Sequence, residues 1–234
     1  MDVAPIAVAL DAPDIATMRD WAGAVAMSVA CLKVGLEVFC RDGHQAVLTA
    51  REAAAHAGHP GIDLFLDLKL HDIPATVAGA ARALTSLAPT YLTVHASGGP
   101  QMVQAAATAL PAARITAVTL LTSLDASDTA QLGMRGSPQE IVVRLALLAV
   151  DAGARAVVCS PQEVSAVRSA VGPDIHLITP GIRPAGSDPD DQRRSSTPRE
   201  ALDAGANLLV IGRPITGQPD PRAAADKIAR ECAR

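Results

Sequence analysis

The run Leu64-Phe65-Leu66-Asp67-Leu68-Lys69-Leu70-His71-Asp72 places one lysine between two acids in an otherwise apolar segment. Side chains alternate faces along an extended strand. Leu64, Leu66, Leu68 and Leu70 therefore share one face, while Phe65, Asp67 and Lys69 share the other. Charges on an inward face are costly unless paired. A fixed ammonium held between carboxylates can stabilise developing negative charge and then donate a proton. The same alternation recurs on three further segments. Ile6, Val8 and Leu10 oppose Ala7, Ala9 and Asp11; Leu32 and Val34 flank Lys33; Leu92 and Val94 flank Thr93, with His95 next on its side. Asp11, Lys33, Asp67, Lys69 and His95 are thus directed toward one place. A single Asp–Lys pair reads as a structural ion pair, whereas two lysines and two aspartates converging at strand ends point to chemistry.

A second chemical signal comes late in the chain, in Thr179-Pro180-Gly181-Ile182-Arg183 and Ile211-Gly212-Arg213-Pro214-Ile215-Thr216. Each follows an apolar run. Glycine lets the backbone approach an anion closely, and arginine adds charge-assisted hydrogen bonds. Turns need glycine in any case, so the pair of turns together with Arg213 carries the phosphate reading, not either glycine alone.

The elements that must position these residues follow from periodicity. Short apolar runs at residues 6–10, 32–34, 64–69, 91–94, 115–120, 156–159, 176–178 and 208–211 alternate with Ala-rich helical patterns. Eight such repeats predict a single (β/α)8 TIM barrel spanning residues 1–234. In that fold the strand C-termini carry the chemistry, and the loops after strands seven and eight often hold a phosphate. A doubly wound open sheet is the alternative, weakened because no GxGxxG follows the first run. The Pro-, Gly-, Ser-, Asp- and Arg-rich stretch at 183–197 reads as a lid or binding loop, or as a surface loop without a task.

Composition narrows the setting. With 49% hydrophobic residues and only 2% aromatic, Ala, Leu and Val must fill the core. The net charge of −4 argues against a nucleic-acid or anionic-membrane surface. Cys31, Cys40, Cys159 and Cys232 show no metal-ligand spacing and read as free thiols. Residues 141–158, the most apolar stretch, are interrupted by Arg144, Asp151 and Arg155, which argues against a membrane span. The N-terminus lacks a basic region ahead of an apolar one, so no signal peptide is expected and the expected location is cytoplasmic.

Asp67-Leu68-Lys69-Leu70-His71-Asp72-Ile73-Pro74-Ala75-Thr76 resembles the D-x-K-x-x-D-I-P-x-T segment of orotidine 5'-phosphate decarboxylases. The likeness extends to Leu10-Asp11, Leu32-Lys33-Val34-Gly35, Val94-His95-Ala96-Ser97-Gly98-Gly99 and Leu121-Thr122-Ser123-Leu124. It continues through Thr179-Pro180-Gly181-Ile182-Arg183, Asp191-Gln192-Arg193-Arg194 and Ile211-Gly212-Arg213-Pro214-Ile215. The first motif alone also suits related sugar-phosphate decarboxylases and synthases; the later segments are more specific. The resemblance implies cofactor-free, metal-free decarboxylation of orotidine 5'-phosphate to UMP. Lys69 would protonate C6, Asp67 would lie by the substrate carboxylate and Lys33 would complete the charge array. Asp72 and Thr76 would reach the site of a partner subunit in a homodimer. Asp11 would join Thr76 on the ribose, Ser123 would read the pyrimidine edge, and Pro180 would lie against the base. Arg183 is carried over as a substrate-binding position, and Gln192, Gly212 and Arg213 as the phosphate grip, with Gln192 on the lid. His95 fits a structural histidine at least as well as a ligand contact. Two rivals stand beside this reading: a Mg²⁺-dependent sugar-phosphate enzyme of the same superfamily, and a barrel that binds a phosphorylated metabolite without catalysis.

Overall fold

A computed structural model describes residues 3–184 and 196–233. Eight strands run in chain order: β1 Ala4–Ala9, β2 Val29–Gly35, β3 Asp63–Leu70, β4 Tyr91–His95, β5 Arg114–Val118, β6 Ala156–Val158, β7 His176–Thr179 and β8 Leu208–Ile211. Each pairs in parallel with the next, and β1 pairs with β8, so the sheet closes into a barrel. Closure excludes the open doubly wound sheet. The helices are α1 Ile15–Val25, α2 Leu36–Asp42, α3 His44–His56, α4 Pro74–Ala83, α5 Pro100–Ala109, α6 Ala126–Gln131, α7 Pro138–Asp151, α8 Val164–Val171, α9 Pro198–Asp203, α10 Arg213–Thr216 and α11 Pro221–Ala233. No helix among the described residues is long and apolar enough to cross a membrane.

The helices begin where the sequence supplies the chemistry for a start. Asp14 accepts from the Thr17 backbone N–H ahead of α1. Ser137 with Glu140 and Thr197 with Glu200 form capping boxes at α7 and α9. Proline occupies the first turn of both, where its missing N–H costs nothing.

The alternation along the strands sorts the core into two layers. Ile6, Val8, Leu32, Val34, Leu64, Leu66, Leu92 and Val94 face outward and pack under the helices with their alanines. Each large side chain fully buried there contributes about 1.5–3 kcal/mol of transfer free energy. Ala7, Cys31, Phe65, Tyr91, Ala156, Ile178 and Leu208 face inward and fill the barrel. Phe65 and Tyr91 meet edge-to-face, with ring centroids 5.7 Å apart.

Seven of the eight strands differ from expectation at one or both ends, by one to three residues. The run at 115–120 stays extended only to Val118. Beyond it, the Thr119 hydroxyl donates to the Val158 carbonyl at 2.8 Å. β7 extends one residue further, to Thr179. All four cysteines are free thiols.

Candidate active site

The site is assembled by inward side chains at the C-terminal ends of β1 to β4. Lys33 on β2 pairs in register with Ala9 of β1 and Phe65 of β3, and Asp67 on β3 pairs with Gly35 of β2. Lys33 Nζ lies 3.3 Å from Asp67 Oδ2 and 3.6 Å from Asp11 Oδ2. Lys69 Nζ donates to Asp67 Oδ1 at 2.8 Å. The charges therefore alternate as Asp11, Lys33, Asp67, Lys69. The small alanine at position 9 leaves room beside Lys33. Gly35 gives the array room: a Cβ there would overlap the Asp11 carboxylate and stand 2.9 Å from Lys33 Nζ, so both tips would have to shift.

Exposure grades along the array. The Lys33 side chain is 7% exposed and that of Lys69 is 30% exposed, so Lys69 is the lysine a bound molecule can reach. Burial pushes the Asp67 carboxyl up, but the charges of Lys33 and Lys69, and the hydrogen bonds both make to it, outweigh burial and hold it below the usual carboxylate range. Asp67 thus stays ionised and fixes both ammonium groups. Removing one member of such a buried set leaves its partner uncompensated, at a cost of about 3–5 kcal/mol.

The backbone at Lys69 is unusual. Its φ is 49°, in the left-handed region where a residue with a Cβ is strained. The β3–β4 register slips at the same place, because Leu66 pairs with Leu92 but Leu70 pairs with Val94. Two residues of β4 thus face four of β3, a local bulge of the kind that re-aims a side chain. The Lys69 N–H donates to Thr93 Oγ1 at 2.8 Å, and that hydroxyl lies 3.2 Å from Asp67 Oδ1.

Lys69 and Asp67 line a cavity of about 180 Å³, whose other walls include Phe65, Leu120, Val158 and Pro180. An ammonium on a largely apolar cavity acts in a low-dielectric setting, where its field is strong. Pro180 lines the same cavity as Lys69. Ser123 does not line this cavity; it lies in an adjoining hollow with Gln162 and Glu163, and Thr122 borders both. His95 is half-buried against His71, with ring centroids 5.2 Å apart. Burial, then His71 and Lys69, lower its pKa and keep the ring neutral.

Arg183 and Arg213 come together on a separate hollow of about 710 Å³, shared with Lys227 and Asp220. Gly212 is the residue before α10, and Arg213 is its first residue. Gly181 has φ 79° at the entrance of the 183–197 segment. The two feet of that segment are tied together: Arg183 N donates to Ser196 O at 2.9 Å, and Ser196 N to Gly181 O at 3.4 Å. Gln192 lies outside the described residues.

Asp72 and Thr76 are not part of the array within one protomer. Both are exposed, on the loop after β3 and the first turn of α4. Asp72 Oδ1 accepts from the adjacent Ile73 N–H at 2.6 Å, and among the described residues it makes no ion pair. Ile73, not Asp72, stands at the N-cap position of α4, with no side-chain capping bond, and it is 65% exposed. Among the described residues no cluster of three or more His, Cys, Asp or Glu side chains is placed to hold a metal ion.

The expectations from sequence passed over two residues of the site. The inward parity of Thr93 was visible, but not the partners of its hydroxyl. Gly35 stood in the motif without a stated role, since the crowding that a Cβ would cause there involves a different strand.

The model of the family described as "Orotidine 5'-phosphate decarboxylase / HUMPS family" matches residues 4–228. A protein named orotidine 5'-phosphate decarboxylase from Thermobifida fusca is 61% identical over 228 residues, covering 97% of this chain and 95% of its own length. One of the same name from Frankia casuarinae is 54% identical, covering 97% and 86%. The crystal structure of orotidine 5'-phosphate decarboxylase from Lactobacillus acidophilus superposes with a TM-score of 0.81 at 35% identity, covering 99% of this chain and all of that one. The match runs through every strand of the barrel and every motif at its mouth that the structure describes, and the chain belongs to the orotidine 5'-phosphate decarboxylase / HUMPS family.

Proposed function

We propose that the chain is an orotidine 5'-phosphate decarboxylase that releases carbon dioxide and forms UMP, acting as one catalytic barrel domain over residues 1–234. The observation that carries this reading is the Lys69 ammonium, held 2.8 Å from Asp67 on the wall of a mainly apolar cavity. Loss of carbon dioxide breaks the bond between C6 and the carboxyl carbon and leaves the electron pair on C6. Lys69 stabilises that charge, transfers a proton to C6 and is reprotonated from solvent. Asp67 and Lys33 hold the ammonium in place, and no cofactor takes part.

The remaining roles are those the family resemblance implies, set beside the hollows described above. The base lies in the Lys69 cavity against Pro180, with Ser123 approaching its edge from the adjoining hollow. The phosphate sits toward Arg213 and Arg183, with Gly212 giving its backbone N–H and Gln192 closing from the loop. Asp11 meets the ribose. Asp72 and Thr76, exposed at the rim, complete the neighbouring site in a homodimer, where Asp72 adds a second carboxylate beside Lys69. Binding energy from the remote phosphate then supports catalysis at C6.

Sugar-phosphate chemistry through a divalent cation fits less well, because Lys33 already stands between Asp11 and Asp67 where such a cation would have to bind. The test is turnover of orotidine 5'-phosphate, followed as loss of absorbance while UMP forms, with and without EDTA. Turnover that EDTA does not change is expected. No turnover would overturn the reading, and turnover abolished by EDTA would redirect it to a metal-dependent reaction.

A further inference from the structure

We infer that Thr93 is a positioning residue for the proton donor, and that its hydroxyl fixes the left-handed backbone and the ammonium of Lys69 together. The Thr93 hydroxyl accepts the Lys69 backbone N–H at 2.8 Å. It lies 3.2 Å from Asp67 Oδ1, to which it donates. That same oxygen receives Lys69 Nζ at 2.8 Å. The three contacts close a ring that starts at the main chain of Lys69, passes through Thr93 and Asp67, and returns to the tip of the same lysine.

Each feature of the ring has a physical consequence. Lys69 has φ 49°, a conformation that a residue with a Cβ holds only when its surroundings over-determine it. At the β3–β4 slip, the Lys69 N–H meets a side-chain oxygen in place of a ladder carbonyl. Thr93 is fully buried, so water cannot replace its hydroxyl. Its branched side chain has few rotamers on a strand, which gives the oxygen a fixed position. Without the hydroxyl, Lys69 N–H loses its partner, Asp67 loses a donor, and the left-handed turn loses the contact that selects it. The lysine would then relax toward ordinary strand geometry, turning the ammonium away from the cavity. Thr93 itself touches neither the Arg183–Arg213 hollow nor the rim, so ligand affinity held by the phosphate should not depend on it.

The inference rests on the proposed role of Lys69 in decarboxylation, and the experiment separates the two. Wild type, Thr93→Val and Thr93→Ser are assayed with orotidine 5'-phosphate, and UMP binding is titrated for each. Valine keeps the shape and removes the hydroxyl; serine keeps the hydroxyl. Thr93→Val should lower kcat about 10- to 100-fold, the worth of a hydrogen bond to a charged group. Its UMP affinity should stay within about twofold, since uniform binding is untouched. Thr93→Ser should recover most of the loss in kcat. A merely structural threonine would instead lower thermal stability and leave kcat of the folded enzyme intact. Full kcat in Thr93→Val, or equal losses in the valine and serine variants, overturns the inference while the decarboxylase reading stands. An inactive wild type overturns that reading first. Should the valine chain not fold, Thr93→Cys, a weak donor and acceptor in the same space, must fall between serine and wild type on one side and Lys69→Ala on the other. A cysteine variant with full kcat counts against the inference.

Discussion

Both ends of the barrel interior carry polar side chains, and they differ in what those side chains face. At the N-terminal end, Tyr91 Oη meets His176 Nδ1 at 3.2 Å. The Arg114 guanidinium lies 5.5 Å above the Tyr91 ring, and Asp63 accepts from Thr90 Oγ1 at 2.8 Å. Phe65 packs on the same ring from within. Burial raises the Tyr91 phenol to about 12, although Arg114 pulls the other way, so it stays neutral. Burial, then Arg114 and Arg168, lower the pKa of His176, so the pair is an uncharged hydrogen bond at neutral pH. At the C-terminal end Asp11, Lys33, Asp67 and Lys69 form a run of ion pairs, one backbone is left-handed, and the outermost lysine stands on a cavity. Polarity inside a barrel therefore does not mark a site. The C-terminal end adds charge, backbone strain and open space to it.

The sharpest way to break that comparison is Lys69→Ala. General acid catalysis alone contributes about 10²- to 10⁴-fold, and the electrostatic contribution adds to it, so turnover should fall by at least that range in a chain that still folds. Steady-state assay and circular dichroism together check this; near-normal rates would remove Lys69 from the chemistry. A related effect concerns the proposed sharing of sites between subunits. Lys69→Ala and Asp72→Ala, each nearly inactive, are mixed under conditions that exchange subunits. Half of the dimers then carry one doubly mutated and one intact site, so activity should return to about a quarter of wild type. Exchange without recovered activity would place Asp72 within its own subunit.

A smaller effect is expected at the anion end. Arg213→Ala should weaken UMP binding about 10- to 100-fold, as for loss of a charge-assisted hydrogen bond, and leave uridine binding nearly unchanged. Calorimetric titration of both ligands decides this, since equal losses would refute a phosphate role. The smallest effect belongs to the opposite end of the barrel. Tyr91→Phe removes one neutral hydrogen bond and should cost about 1 kcal/mol of stability, with kcat unchanged. Thermal unfolding and the turnover assay test the two halves of that statement; a loss of kcat would mean that the two ends are coupled. The pH dependence has a definite sign here as well. Because the folded pKa of His176 lies below its ordinary 6.5, the unfolded chain binds more protons just below that pH. The stability tied to neutral His176 is thus present above pH 6.5 and is lost as pH falls toward the folded pKa.

Much of the molecule was legible before any coordinates. The eight runs fall on the eight strands, and Asp11, Lys33, Asp67 and Lys69 meet as parity implied. Errors arose where a run continued in composition but not in structure. Leu120 is apolar like the strand before it, yet it lies beyond the end of β5 at Val118 and belongs to the cavity wall.

By itself, the sequence determined which face of each strand a residue occupies. That sorting is local, since a period of two needs only an extended backbone and a water-excluding side. It also determined where the helices start, because Ser137, Thr197 and the following prolines act within one turn. Only the tertiary structure decided the distances between strands, which depend on barrel closure and stagger and not on any one segment. Closure put Asp11 of the chain's first strand–loop junction and Asp67 of β3 on opposite sides of one lysine, and a Cβ at position 35 would force the Asp11 carboxylate and the Lys33 ammonium to shift. It also brought a β4 hydroxyl to the main chain of Lys69, where a slip of the β3–β4 register left an N–H without a ladder partner. No pattern along β3 contains that oxygen, because hydrogen bonds across a sheet are chosen by register, and register is a property of two strands together.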